Sequence, residues 1–162
     1  LRLVKGAVGK VSMRSFPNIQ NFVGFIGHVT KEIAKAEHRG LDKAGALIEA
    51  EARKKIGLEN EGWAPLAEST IERKTAAGHV GRMSATDPLF ATGELRAILS
   101  HEVKDRAVYI GTPDQVGVYQ EIGTSRIPPR PFLASAAHEH GVQAAKLAGH
   151  EVALAVAGKA TR

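Results

Sequence analysis

A helical period between residues 30 and 57 constrains the fold more than any other stretch of this sequence. Small or apolar residues recur there every three or four positions, and most charged side chains fall between them. The stripe consists of Ile33, Ala36, Gly40, Leu41, Ala44, Ile48, Ala52 and Ile56. Gly57 follows, and glycine accepts the left-handed conformation that often ends a helix. The pattern predicts one long amphipathic helix that buries one face and ends at Gly57.

The length of the chain predicts one main domain. With 162 residues, we expect a domain at residues 28–157, an N-terminal arm or short helix or strand at residues 1–27, and a C-terminal tail at residues 158–162. Aromatic residues make up only 5% of the chain, and alanine supplies much of its apolar content. The core should therefore be thin, and we expect neighbouring subunits to complete it.

The composition limits the compartment and the partners. Because the chain has no cysteine, it can form neither a disulfide framework nor a thiolate metal site, which fits a reducing compartment or a particle that must not cross-link. A formal net charge of +5 favours contact with acidic surfaces or nucleic acid, although the long basic run of a dedicated nucleic-acid tail is missing. No segment has the length and apolarity of a membrane span, so synthesis in the cytosol is expected, without a membrane partner.

Shorter elements are predicted on both sides of a polar loop. Ser69 or Thr70 can cap a short helix that ends near Gly78, and the breaker-rich residues 78–88 are expected to form a flexible loop. Thr92 can cap a helical turn that carries two leucines. This turn leads into the second half of the chain.

Two β-rich runs in the second half predict an antiparallel hairpin. They occupy residues 98–103 and 107–110, and Lys104-Asp105-Arg106 separates them. From Phe132 onward the pattern predicts an alanine-rich helix whose small residues allow close approach to another helix. The face expected for this helix includes Ala136, Val142, Ala145, Val152 and Val156, with fraying or a bend at Gly141 and Gly149.

Between these elements, the sequence predicts a short helix followed by a stiff segment. Asp114 can cap the helix, and its apolar side would consist of Val118, Tyr119 and Ile122. Gly123 suits a left-handed helix end. Prolines then restrict residues 124–130, which we call the strap, to an extended conformation with unpaired backbone groups.

The strap has two interpretations at this stage. It would hold Arg126 and Arg130 at a fixed separation near the carboxylate of Glu121, which suits a surface that another molecule binds. It could also be an ordinary connection in which Phe132 and Leu133 are plain core residues. The first interpretation predicts that Arg130→Ala and Glu121→Ala leave the monomer folded and impair assembly. Trp63, likewise, is either a plug over one end of the core or an interface anchor.

No constellation of catalytic residues is found. The sequence lacks a nucleophile elbow, a phosphate-binding loop, a His-Glu-x-x-His motif and a dinucleotide fingerprint. His138 and His140 are two residues apart, so a helix would point them in different directions. We therefore expect no cofactor, no metal and no enzymatic activity.

A series of motifs resembles the tailed-bacteriophage virion morphogenesis proteins, the family of neck, tail-completion and head-to-tail joining proteins. The most specific part is the Tyr-x-Glu-x-Gly-Thr motif followed by Pro-x-Pro-Phe-Leu, and Trp-x-Pro-Leu and Thr-Gly-x-Leu precede it in order. The match covers residues 30–148. The quoted positions are Trp63, Pro65, Leu66, Thr92, Gly93, Leu95, Tyr119, Glu121, Gly123, Thr124, Pro129, Pro131, Phe132 and Leu133.

This resemblance implies an α+β fold, in which a small antiparallel sheet based on a β-hairpin is packed by a long N-terminal helix and a C-terminal helix, with long loops. It also implies a structural virion protein that forms a homo-oligomeric ring, six- or twelve-fold, in the neck or at the head-proximal end of the tail. The expected partners are connector or head-closure proteins, tail-tube or tail-terminator proteins, and DNA in the channel, after assembly in the host cytoplasm. The expected interface residues are Trp63, Tyr119, Glu121, Gly123, Thr124, Arg126, Pro129, Arg130 and Phe132. The alternative is a basic nucleic-acid-binding module, whose binding should weaken steeply with salt.

Overall fold

Two long antiparallel helices carry most of the structure. The computed structural model describes residues 15–58, 62–79 and 81–159. The fold is α+β, as predicted, with a small antiparallel sheet beside the helices. The elements in chain order are α1 (Ile19–Lys55), α2 (Glu68–Ala76), α3 (Glu94–Ile98), β1 (Ser100–Lys104), β2 (Ala107–Gly111), α4 (Gln115–Ile122) and α5 (Phe132–Val156).

Helix α1 is longer than the sequence pattern predicted. It begins eleven residues before Thr30, because the Asn18 side chain caps it by accepting a hydrogen bond of 2.9 Å from the Asn21 N–H. Gly24 and Gly27 do not interrupt the helix. The boundary expected between the N-terminal arm and the domain, after residue 27, therefore falls inside α1. The predicted end is confirmed, because Gly57 has a φ of +83°. Residues 1–14, the first part of the expected arm, lie outside the described residues.

Helices α1 and α5 approach each other closely along a seam of small residues. Ala36, Gly40 and Ala44 are buried on α1, and Ala144 is buried on α5. A Cβ at Gly40 would lie 2.7 Å from the carbonyl oxygen of Ala148, so only glycine fits at that point. The seam confirms the predicted close approach of small-residue faces.

The face predicted for α5 is only partly correct. Val142 and Val156 are exposed, whereas Phe132, Ala136 and Ala144 are buried. Alanine is common all round this helix, so the sequence period could not separate its faces. Helix α5 also continues through both of its glycines.

A buried carboxylate joins the two long helices. Glu151 on α5 is only 4% exposed, and it forms ion pairs with Lys43 and Arg39 on α1. The hydrogen bond from the Lys43 ammonium keeps the pKa of Glu151 below its ordinary value. This ion-paired cluster fixes the register of α5 against α1.

The hairpin packs across the middle of α1. Its register pairs Lys104 with Ala107, which leaves a two-residue turn in which Asp105 and Arg106 have positive φ angles of 51° and 60°. These are the angles of a type I′ turn, which suits the twist of a hairpin. The hairpin prediction is therefore confirmed, and each strand begins and ends within two residues of the prediction.

An ionic contact holds the hairpin on α1. His101 lies over Gly45, and its Nδ1 is 2.5 Å from the Glu49 carboxylate. Its Nε2 is 3.4 Å from Asp42. The hydrogen bond to Glu49 is the main reason that the pKa of His101 is raised.

Two predicted helix caps are wrong. Helix α2 begins at Glu68, and its N-cap, Ala67, makes no side-chain hydrogen bond, so neither Ser69 nor Thr70 caps it. At α3 the N-cap is Gly93 with a φ of +84°, and Thr92 only accepts a long hydrogen bond of 3.4 Å from Glu94. In both cases a residue with no side-chain oxygen starts the helix, and such a start leaves no capping signal in the sequence.

The polar loop is held by specific contacts. The Asp87 carboxylate accepts hydrogen bonds from the N–H groups of Met83 and Ser84, at 2.6 and 3.0 Å. Lys74 on α2 donates to the carbonyl oxygen of Asp87 at 2.7 Å. These contacts tie the described part of the loop to α2.

Candidate assembly surface

Helix α4 is oriented with its apolar side outward. Asp114 caps it as predicted, because its carboxylate accepts a hydrogen bond of 2.9 Å from the Val116 N–H. Gly117 is the buried residue of the helix and lies against Thr112 and Leu95. Gln120 and Glu121 also lie on the inner side. The helix thus turns small and polar groups toward the protein.

The outer side of α4 carries four exposed apolar side chains. The sequence period indicated an apolar side but not whether that side would face the core or the solvent. Ile122, at 70% exposed, is the most accessible of the four. Together with the exposed part of the strap, these side chains form what we call the α4–strap surface. Its apolar members are Val116, Val118, Tyr119 and Ile122.

The chain reverses direction at Gly123. This residue has a φ of +75°, which confirms the predicted left-handed end, and its N–H donates to the carbonyl oxygen of Tyr119 at 2.9 Å. A Cβ at Gly123 would lie 2.9 Å from the nitrogen of Pro129. The strap therefore crosses so close to the end of α4 that a side chain at position 123 would displace it.

The backbone of the strap is not unpaired, contrary to the prediction. The N–H of Thr124 donates to the carbonyl oxygen of Ile127 at 2.8 Å, and that of Arg130 donates to Gln120 at 2.7 Å. The Thr124 hydroxyl accepts from the N–H groups of Arg126 and Ile127. The strap is a compact turn fastened to α4 rather than an extended segment with free donors and acceptors.

Glu121 caps the following helix instead of pointing to solvent. Helix α5 begins after Pro131, which has no side chain that can accept a hydrogen bond. The Glu121 carboxylate replaces that cap by accepting from the N–H groups of Leu133 and Ala134, at 2.9 and 2.6 Å. A carboxylate there also interacts favourably with the helix dipole. Within the chain, the oxygens of Glu121 are used as a cap, and its predicted role at an interface remains a prediction.

The Arg130 side chain is also used inside the chain, and its predicted role at an interface remains a prediction. Arg130 is only 4% exposed, and its guanidinium donates to the carbonyl oxygens of Ala64 and Pro65 at 2.9 and 3.3 Å. Burial lowers the pKa of Arg130 from its ordinary value. The side chain fastens the segment after Trp63 to the strap, and Trp63 is partly buried against the core. Trp63 therefore covers the core, as one of its two interpretations proposed.

The nine predicted interface residues divide into two groups. Tyr119, Thr124, Arg126 and Pro129 lie at the exposed surface. The other five are partly or fully buried and lie under the exposed residues. They are Trp63, Glu121, Gly123, Arg130 and Phe132. Sequence reasoning missed Val116, Val118 and Ile122 as surface residues. The only signal for them was the polar character of the opposite side of α4.

Comparison with known proteins gives one informative similarity. No protein-family model matches the chain, and no solved structure matches it. The chain is similar to "Mu-like prophage FluMu G protein 1" of Haemophilus influenzae, with 30% identity over 95 residues. The match covers 56% of this chain and 63% of that protein, so the chain spans less than two thirds of its relative. The similarity supports a phage-related protein.

Two further properties concern the described residues. Among the helices in those ranges, none combines the length and the apolarity needed to cross a bilayer. Nor do three or more histidine, aspartate or glutamate side chains in the same ranges form a group that could hold a metal ion.

Proposed function

We propose that this chain is a structural protein of a phage particle, which forms a homo-oligomeric ring in the neck or at the head-proximal end of the tail. The observation that carries the proposal is the outward apolar side of α4. A short helix that turns polar groups inward exposes its apolar side chains, and exposed apolar patches mark protein contacts. The similarity to a prophage protein and the motif series both support a phage context.

The strap contributes shape to this surface. Its own hydrogen bonds, the Glu121 cap and the Arg130 contacts hold it in one conformation before any partner binds. A preorganised surface binds with a smaller loss of conformational entropy than a flexible one. In a ring, the α4–strap surface of one copy would meet a different surface on the next copy, because closed rings are built from heterologous contacts.

The proposed role needs no catalytic residue, no cofactor and no metal. The neighbouring components would be a connector or head-closure protein on one side and a tail-tube or tail-terminator protein on the other. These partners follow from the proposed position in the particle.

The test changes one exposed side chain on α4. Ile122→Asp places a charge on the apolar side of α4 without touching the core, since that side chain is 70% exposed. We expect the purified variant to fold like the unmodified chain and to lose ring formation, as measured by light scattering and negative-stain electron microscopy. In a phage that carries the variant gene, tails should fail to join heads.

Val142→Asp is the matched control. Val142 is also 70% exposed and apolar, but it lies on α5, ten residues beyond the start of that helix. This variant should assemble normally. The proposal is wrong if both variants assemble like the unmodified chain, or if the unmodified chain stays monomeric and is absent from particles.

A further inference from the structure

Two charged side chains are buried among the described residues, and only one of them has a counterion. Glu151 and Arg130 are each 4% exposed. The charge of Glu151 is balanced by Lys43 and Arg39. Arg130 forms no ion pair with a carboxylate in the described ranges, and burial lowers its pKa with no nearby anion acting in the opposite direction. Because buried charges in proteins are normally paired, Arg130 is the exception in this fold.

The charge of Arg130 cannot be removed by loss of a proton. An arginine guanidinium stays protonated in proteins, so it keeps its charge even when it is buried. The carbonyl oxygens of Ala64 and Pro65 accept hydrogen bonds from Nη2, but these acceptors are neutral. The Nε atom is buried and has no acceptor. The chain on its own therefore retains the cost of an unpaired buried charge, which an anion from a second molecule would offset.

The guanidinium lies next to the proposed contact surface. The backbone N–H of Arg130 donates to the carbonyl oxygen of Gln120 near the end of α4. Ala64 and Pro65, whose carbonyl oxygens the guanidinium contacts, are themselves exposed, and so is Pro129. The unpaired charge is thus located at the edge of the α4–strap surface, among residues that reach solvent.

The surroundings of Arg130 favour a carboxylate over the phosphates of a nucleic acid. Nucleic-acid backbones are bound by several cations that contact successive phosphates. The strap carries only one cation besides Arg130, which is Arg126, and the exposed side of α4 beside it is apolar. A single guanidinium in apolar surroundings suits a single carboxylate, which its planar fork can bind through two hydrogen bonds.

We propose that Arg130 binds a carboxylate of a partner protein that docks on the α4–strap surface. An aspartate or glutamate side chain of that partner supplies the missing counterion, while apolar side chains of the partner cover α4. The inference rests on the proposed function and deepens it, because it names the charged group on the partner's side of the contact.

Propionate, a small carboxylate, is the probe for the first test. Thermal unfolding of the full chain, followed by Trp63 fluorescence below the concentration at which light scattering detects assembly, compares sodium propionate with sodium chloride at equal ionic strength. At about five times its Kd, propionate should raise the unfolding midpoint by about 2–4 °C. In Arg130→Lys, which keeps the charge but loses the planar fork, the difference should fall below about 1 °C. Arg126→Lys, a change on the same strap, should respond like the unmodified chain.

Three results would overturn the proposal. The first is an absent propionate effect in the unmodified chain, or an equal effect in all three chains, which would make Arg130 only a structural link to Ala64 and Pro65. The second is a larger effect of inorganic phosphate or of a short DNA duplex than of propionate. The third is an effect seen only after Glu59 and Glu61, which lie outside the described residues, are both replaced by glutamine, because the chain would then supply its own carboxylate.

The salt comparison on the unmodified chain does not depend on whether Arg130→Lys folds. It also separates this inference from the ring. A chain that never assembles but binds propionate through Arg130 overturns the ring proposal alone. A chain that forms rings, but shows no propionate effect when it is diluted to monomers, overturns the carboxylate site alone.

Discussion

Glu121 shows how one side chain can link three segments of the chain. It belongs to α4, directly precedes the segment that leads into the strap, and caps α5, so its carboxylate contributes to the stability of the chain. We expect Glu121→Ala to lower the free energy of unfolding by about 1–2 kcal/mol, because two N–H groups lose their acceptor. Glu121→Gln should cost less, since one amide oxygen remains. Urea denaturation measures the change.

Glu72→Ala is the comparison for that experiment. Glu72 is exposed on α2, and its removal should change stability by less than about 0.5 kcal/mol. If Glu121→Ala costs no more than Glu72→Ala, the side chain does not act as a cap.

His101 makes the docking of the hairpin depend on pH. Glu49 raises the pKa of His101 in the folded protein, so the charged imidazolium stabilises the fold. That stabilisation is complete below the unfolded pKa of about 6.5 and is lost as pH rises through the higher folded value. The urea midpoint of the unmodified chain should therefore fall more between about pH 6 and pH 9 than that of His101→Gln. Parallel pH profiles would show that the ion pair does not contribute.

At the scale of elements, the sequence predicted which segments would form but not which way they would face. The stripe from Ile33 to Ile56 defined α1 because apolar and charged residues alternate there with a clear period. The hairpin turn at Asp105-Arg106 was also predicted correctly from the sequence. The orientation of α4 was not visible, because in eight residues an apolar side that faces a partner has the same pattern as one that faces the core.

The same limit applies to Arg130 and Glu121. Charged residues in a proline-rich segment are usually solvated, and the sequence contained no sign that the carbonyl oxygens of Ala64 and Pro65 would lie within reach of Arg130. That contact spans about 65 residues, so it depends on the tertiary fold. Gly123 was predictable because its role is local.

The α1–α5 seam gives a prediction about close packing. Gly40→Ala should lower the free energy of unfolding by about 1–3 kcal/mol, since the added methyl group meets the rigid backbone of Ala148 and the helices must separate. Gly24→Ala, in the second turn of α1, meets nothing within 4 Å, so it should stabilise α1 by about 0.5–1 kcal/mol. Chemical denaturation compares the two. Changes of the same sign would contradict a seam that requires glycine.

For the whole molecule, the excess of positive charge comes from the N-terminal part of the sequence. Of 22 lysine and arginine residues, five precede Glu32, the first acidic residue, and the other 17 are balanced by the 17 acidic residues. Many of the later cations are paired within the described structure. Those that form ion pairs with glutamates are Lys35, Arg39, Lys43, Arg53, Lys54, Lys55 and Arg106.

This distribution predicts where nucleic acid would bind, if the chain binds it. Replacing Arg2, Lys5, Lys10 and Arg14 together by glutamine should abolish any gel shift of duplex DNA at low salt. A control with the same net charge replaces Lys35, Lys54, Lys146 and Lys159, and it should bind as the unmodified chain does. Equal losses would indicate that binding follows total charge and not the N-terminal residues.

The uninterrupted course of α1 has a mechanical consequence. The helix is continuous from Ile19 to the contacts with the hairpin and α5, so any tilt of its first turns would act as a lever with its pivot near Ile33. Fourteen residues separate that pivot from Ile19, a span of about 21 Å, so a rotation of roughly 10° moves the tip by about 4 Å. A force applied near Ile19 would therefore be transmitted along α1 to the hairpin, which packs on the same helix.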